Sequence, residues 1–236
     1  MIDEAAEIVK GIVESMNTTI VGEWDGDYTT SCQTKWARKG KTVSVGSEEF
    51  LITEIEYDTE MKSTYQGNTM PAPNLEGTIQ LPIPYFISGT KLAANREWTI
   101  AGNDLTQKTP IIWLLETIRE RIYGKGDPRE REMELRLFFL DETNVAQFYT
   151  EDHRREVVYP MQKLVDEFIN TIGRIRTFKT IEDYSIRTFS RFGVEQESGM
   201  FQNILDANLS GVELNITLTK YKANCNPKCN IAVSLN

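Results

Sequence analysis

Hydrophobic positions in residues 2–16 recur at helical spacing: Ala5, Ile8, Val9, Ile12, Val13 and Met16 share one stripe, with Glu4, Glu7 and Lys10 off it. The pattern predicts an amphipathic helix. From Thr19 to Gln66 the texture shortens into β-favouring runs broken by glycine turns, TTIVGEW, YTTSCQTKW, KTVSV and FLITEIEY, which predict a small barrel or curled sheet. The segment STYQGNTMPAPNLEG, residues 63–77, reads as a connection leaving that module. GTIQLPIPYFI and REWTIAG have strand composition. Pro82 and Pro84 cannot donate to a ladder, so the first of these belongs at a sheet edge or bends away.

Farther on, Thr109 and Pro110 supply a cap and a first-turn proline, after which Ile111, Leu114, Leu115, Ile118 and Ile122 keep helical spacing as far as Gly124. Met133, Leu135, Leu137 and Phe139 alternate with Glu134, Arg136 and Phe138, a strand whose second face turns apolar near its end. Pro160 opens a helix with Met161, Leu164, Val165, Phe168, Ile169 and Ile172 on one stripe, ending at Gly173. EDYSIRTFSRFG and GVELNITLTKY predict two late strands. The fold expected is α+β: an antiparallel or mixed sheet packed by two or three amphipathic helices, with a small barrel-like module near the N-terminus. The expected divisions are a helix at 1–18, the β-rich module at 19–76, an α+β core at 77–224 and a tail at 225–236.

Composition narrows the function classes. The hydrophobic share of 40 % across 236 residues is enough for a real core. A net charge of −9 argues against a general nucleic-acid binder and for protein partners. The acidic start MIDEAAEIVK does not resemble a secretory leader, and no apolar run is long enough to span a membrane, so an unsecreted, soluble protein is expected. Three unevenly spaced cysteines, Cys32, Cys225 and Cys229, fit a reducing compartment, which removes significance from the sequons at Asn17, Asn208 and Asn215.

Few residues could carry chemistry. His153, the only histidine, sits in YTEDHRREVVYP beside Asp152, Arg154 and Arg155, and reads as an exposed residue in a charged helix approach rather than a general base. CNPKC has an allowed spacing for half a zinc site, but Cys32 and His153 alone remain to complete it, so a thiol-containing tail is the plainer reading. Gly40-Lys41-Thr42 lacks the earlier glycine of a phosphate loop, Lys35 standing there, and reads as a turn opening KTVSV. Asp25 and Asp27 of WDGDY suit a β-turn better than a calcium loop. Glu54, Glu56, Asp58 and Glu60 alternate as on a solvated strand face. Lys35, Trp36, Arg38, Lys39 and Lys41 form a basic cluster with one aromatic, a weak signal for single-strand binding beside the alternative of a solvated hairpin. No metal, cofactor or catalytic residue is assigned.

The C-terminal third, SRFGVEQESGMFQNILDANLSGVELNITLTKYKANC, resembles a pattern in virion proteins of tailed phages, where a strand ending in FG precedes a loop and an NLSGVEL-type amphipathic strand. TPIIWLLE and VVYPMQKLVDEFI resemble the two helices of neck and tail ring proteins of the tail-terminator or head-completion type, crAss-like phages being the nearest likeness, over residues 77–225. The resemblance implies a non-enzymatic virion protein, assembled in the host cytoplasm into a homo-oligomeric ring. Its implied partners are portal, neck or tail proteins, with DNA passing through the lumen without specific binding and no membrane. Rings need heterologous contacts, often made by strand edges and arms. The arm LPIPYFISGT supplies Tyr85 and Phe86 and the tail TKYKANCNPKC supplies Tyr221 and Lys222 as interface candidates, with Trp98 of REWTIAG named beside them. Two alternatives stand beside this: a barrel engaging single-stranded nucleic acid through Trp36, Arg38 and Lys41, and a hydrolase or metal enzyme using His153 or the carboxylate row.

Overall fold

In the computed structural model, residues 4–24, 28–30, 33–66, 76–100, 108–116, 118–123, 130–205 and 207–221 are described. The chain is α+β, with helices packed on antiparallel and mixed sheets. Helix α1 (Ala5–Glu14) buries Ala5, Ile8, Val9, Ile12 and Val13, the stripe its sequence predicts. Six strands follow: β1 (Thr19–Trp24), β2 (Tyr28–Thr30), β3 (Thr42–Val45), β4 (Glu48–Glu56), β5 (Glu60–Tyr65) and β6 (Glu76–Gln80). They pair in the order β1-β2-β5-β4-β3-β6, and β6 returns to β1, so the sheet curls into a small barrel. Its closing seam is short, two residue pairs between β3 and β6. Alternation then fills the interior with Val43, Val45, Phe50, Ile52, Met61 and Ile79.

The second sheet has the order β11-β14-β10-β8-β7. Its strands are β7 (Tyr85–Gly89), β8 (Ile111–Leu115), β9 (Arg119–Tyr123), β10 (Glu130–Glu142), β11 (Tyr184–Phe189) and β14 (Leu209–Lys220); β12 (Gly193–Glu195) and β13 (Phe201–Asn203) form a separate hairpin. Strands β10 and β14 pair without interruption from Arg131↔Lys220 to Glu142↔Leu209. That register sets Met133, Leu135, Leu137 and Phe139 opposite Leu218, Ile216, Leu214 and Val212, so one face is apolar throughout. On the other face only Phe138 and Leu140 of β10 are buried, and Glu132, Glu134 and Arg136 point away from that core.

The continuous face packs α1 and helix α4 (Tyr159–Arg174), where Phe168 meets Phe139 edge-on at 5.5 Å. The barrel interior joins the same core. A second core on the opposite face holds Trp113, Phe138, Phe192 and Leu205 beneath helix α2 (Lys91–Ile100). Close approach of β14 to β10 explains Gly211: a Cβ there would lie 2.0 Å from the Phe139 carbonyl oxygen, at φ +155°.

Three expectations are corrected. The stretch expected as a helix holds instead β8 (Ile111–Leu115) and β9 (Arg119–Tyr123), paired in turn with the two halves of β10. Ile111, Ile112, Trp113 and Leu114 are buried on both faces of a central strand, and such a run mimics a helical stripe. REWTIAG is not a strand; Arg96–Ile100 lies in α2, which buries Ala94 and Trp98 four residues apart. GTIQLPIPYFI is not one strand: Glu76–Gln80 closes the barrel, Leu81–Pro84 crosses over, and Tyr85–Gly89 joins the second sheet beside β8. The prolines sit at that crossover, where no ladder N–H is needed.

Candidate functional site

Lateral contact in a sheet protein begins with unpaired backbone, and the second sheet ends in two unlike edges. Strand β11 pairs only with β14 among the described residues, and Tyr184 through Thr188 are exposed. Strand β7 ends the opposite side, pairing in parallel with β8, while β9 extends beyond it along β10. Because β14 runs antiparallel to both β10 and β11, and β8 antiparallel to β10, strands β7 and β11 run antiparallel to each other. A second copy added sideways in the same orientation would therefore meet β7 with β11 as an antiparallel pair.

The interface candidates divide between these edges. Tyr85 and Phe86 lie on β7, half-buried and facing opposite cores. Burial, and then the charge of Glu97, raise the Tyr85 phenol above its ordinary range. Tyr221 flanks β11, 42 % exposed, with the Lys179 ammonium 5.3 Å from its ring centroid. It borders an open polar groove of about 840 Å³ that also takes in Arg136, Glu182, Asp183, Tyr184 and Asn215. Trp98 is corrected: it is 5 % exposed inside the second core, its carbonyl accepting a 2.5 Å hydrogen bond from Lys108 Nζ. Lys222, Cys32, Cys225, Cys229, Asp25 and Asp27 lie outside the described residues.

The basic cluster is neither a solvated hairpin nor a stacking platform. Trp36 is 3 % exposed and packed in the first core. Arg38 Nη1 donates to the Glu142 carbonyl at 2.8 Å and lies 3.0 Å from Asp141 Oδ2; Lys41 Nζ lies 3.2 Å from Asp141 Oδ1 and donates to Thr109 Oγ1. Asp141 is buried at the end of β10. Burial opposes its ionisation, but Arg38 and Lys41 outweigh burial and hold the carboxyl below its usual range. Arg38 and Lys41, two of the cations the sequence offers for nucleic acid, thus join barrel to sheet. Asp141 was the missed partner; the only sequence cue was an acid following the apolar run of a strand end.

His153 is also corrected, from exposed to buried at 8 %. Helix α3 (Thr150–His153) and a π-helical turn (Arg154–Val158) run directly into α4, so the approach is itself helical. Pro160 has no N–H to give, and the π turn sits where its α-helical bond would fall. His153 Nδ1 lies 2.7 Å from Thr143 Oγ1 and 3.4 Å from Ser210 Oγ, and Ser210 donates to the Ser190 carbonyl at 2.5 Å. Both hydroxyls are buried, so this trio pins α3 to the ends of β10 and β14 rather than meeting a substrate.

Along the acidic row Glu56 stands directly opposite Glu60 across the β4–β5 pair, and both line a shallow hollow with Glu54 and Lys62. Glu54 and Glu56 are exposed on β4, as expected, and Glu54 pairs with Lys62 at 2.7 Å. Asp58 instead occupies a left-handed turn position, φ +59°, and accepts hydrogen bonds from Lys163 at 2.7 Å and Tyr159 at 2.8 Å. No group of three or more His, Cys, Asp or Glu side chains suited to a metal ion occurs among the described residues. No protein-family model, curated protein or solved structure matches the chain.

Proposed function

We propose that this chain is a non-enzymatic structural protein of a tailed-phage virion, closing into a homo-oligomeric ring of the neck or tail, of the tail-terminator or head-completion type. The observation that carries the reading is the pair of unlike edges of the second sheet, β7 and β11, each of which pairs with one strand only among the described residues. A heterologous contact between two different patches of one subunit generates a ring when its rotation closes. The likeness of SRFGVEQESGMFQNILDANLSGVEL to phage virion strands gives the assembly its biological setting. The net charge of −9 suits a lumen through which DNA slides by repulsion rather than adhesion.

Light scattering and negative-stain imaging of the full chain across concentrations test the reading. A closed oligomer larger than a dimer, seen as rings, is the expected result. A monomer at every concentration overturns assembly through the chain's own edges.

A further inference from the structure

Where the turn Arg38–Lys41 meets the loop after β10, the surface sinks into a hollow of about 400 Å³. Its lining combines cationic, neutral polar and apolar groups. Arg38, Lys39 and Lys41 bring positive charge from the barrel side, while Val145, Ala146 and Phe148 form an apolar wall. Arg38 and Lys41 are only 8 % and 9 % exposed and are fixed by Asp141, so they are held in place before any ligand arrives.

The donors are not exhausted by those contacts. Arg38 spends Nη1 on Asp141 and the Glu142 carbonyl, and its Nε and Nη2 have no partner among the described residues. Asn208, also in the lining, accepts from Asn203 through Oδ1 at 3.1 Å, and its Nδ2 has no partner among the described residues. Lys39 is exposed at the rim with no ion pair among the described residues. An arginine fork with one side immobilised and the other open matches the two oxygens of a carboxylate or phosphate.

Charge selects between these. Three cations stand against two carboxylates, Asp141 beneath and Glu142 in the lining, which leaves one positive charge. A monoanion neutralises the hollow, whereas a phosphate dianion leaves it negative. The hollow is also larger than a bare carboxylate, and Val145, Ala146 and Phe148 give it an apolar patch beside Thr143 and Asn144. Nucleic acid fits poorly, because the neighbouring aromatic, Trp36, is buried and presents no face for stacking.

We propose that this hollow binds a carboxylate joined to an apolar group, Arg38, Lys39 and Asn208 holding the oxygens and Val145 and Phe148 the apolar part. The C-terminal residue of a polypeptide has this chemistry, and so do small free acids. The site is independent of ring assembly, since it lies on neither β7 nor β11.

The test uses the full-length, nitrogen-15-labelled protein titrated with N-acetyl-leucine while the Arg38 Nε–H signal and the Gly40 and Asn144 amides are followed by NMR. Saturable shifts of these signals are expected. Binding weaker by about tenfold or more is expected for N-acetyl-leucinamide, which lacks the charge, and for Lys39→Glu, whose exposed position leaves the fold intact. Acetate is expected to bind more weakly than N-acetyl-leucine; equal binding would assign the hollow to small free acids and overturn the role of the apolar wall. Equal binding of the amide, or wild-type affinity in Lys39→Glu, overturns the proposal.

Discussion

Arg38, from a turn of the barrel, and Asp141, at the end of the longest strand of the second sheet, lie 3.0 Å apart with side-chain exposures of 10 % and 1 %. The pair, extended by Lys41, is a buried polar fastening between the barrel and the second sheet, beside the apolar core they share and the Asp58–Lys163 contact to α4. Removing one partner of a buried pair leaves an uncompensated charge. Asp141→Ala should cost about 3–5 kcal/mol in urea unfolding. Arg119→Ala, which breaks an exposed pair with Glu134, should cost less than about 1 kcal/mol. Equal costs would show that the buried pair is not specially coupled.

The same carboxylate sets an acid limit. The folded pKa of Asp141 is depressed below its unfolded value of about 3.9, so its contribution is complete above that pH and lost as pH falls through the folded value. Asp58 acts in the same sense, chiefly through its hydrogen bond from Lys163, with a smaller share because it is near solvent. At the alkaline end, burial and then Glu156 raise the Tyr57 phenol, so its neutral form stabilises the fold below pH about 10 and that contribution drains away as pH rises. Melting temperature measured against pH should fall on both flanks, and Asp141→Asn should flatten the acid flank specifically.

How much of this was legible depended on whether a residue's neighbours were near in sequence. Helix α1, strand β14 and the stripe of α4 followed from local periodicity: each helix buries one face against a single layer, and from Leu214 onward β14 alternates buried and exposed residues. Residues 111–115 misled for the opposite reason: covered on both faces, they carry no alternation to read. The candidate edges were half visible. Pro82 and Pro84 pointed to Tyr85 and Phe86, but the exposure of β11 depends on the pairing order of strands far apart in the chain. Arg38 and Lys41 looked like a solvent-facing cluster because Asp141, roughly a hundred residues away, is what neutralises them.

Glycine at 211 is a prediction about register. An added Cβ would overlap the Phe139 carbonyl oxygen at 2.0 Å, and that atom belongs to the β10 backbone, which is buried on both sides. Gly211→Ala should therefore destabilise by more than about 3 kcal/mol, above the usual cost of overpacking. Gly173 in α4 has nothing within 4 Å of an added Cβ, and Gly173→Ala should stabilise by about 0.5–1 kcal/mol. Thermal unfolding of the two variants reads the contrast directly.

Trp36 separates a core role from a binding role. Its ring is buried in the first core, so Trp36→Ala should cost about 3–5 kcal/mol, with Trp36→Phe recovering part of that loss. Fluorescence anisotropy with a labelled single-stranded oligonucleotide should show no Trp36-dependent binding in folded protein. Saturable binding lost in a well-folded Trp36→Phe variant would restore the stacking alternative.

The last prediction concerns the open edge. Ile186 lies in β11 with 39 % of its surface exposed, opposite Leu214, so its side chain contributes little to the isolated subunit. An aspartate there would place a desolvated charge in any edge-to-edge contact, at a cost far above its effect on the monomer. Ile186→Asp should leave the melting temperature of the dilute subunit within about 0.5 kcal/mol-equivalent of wild type while abolishing higher-order species in light scattering. Arg154→Asp, an exposed change in the π-helical turn and on neither β7 nor β11, should leave assembly intact. If both variants assemble as wild type does, β11 is not the contact; if both fail alike, the loss reflects added negative charge rather than this edge.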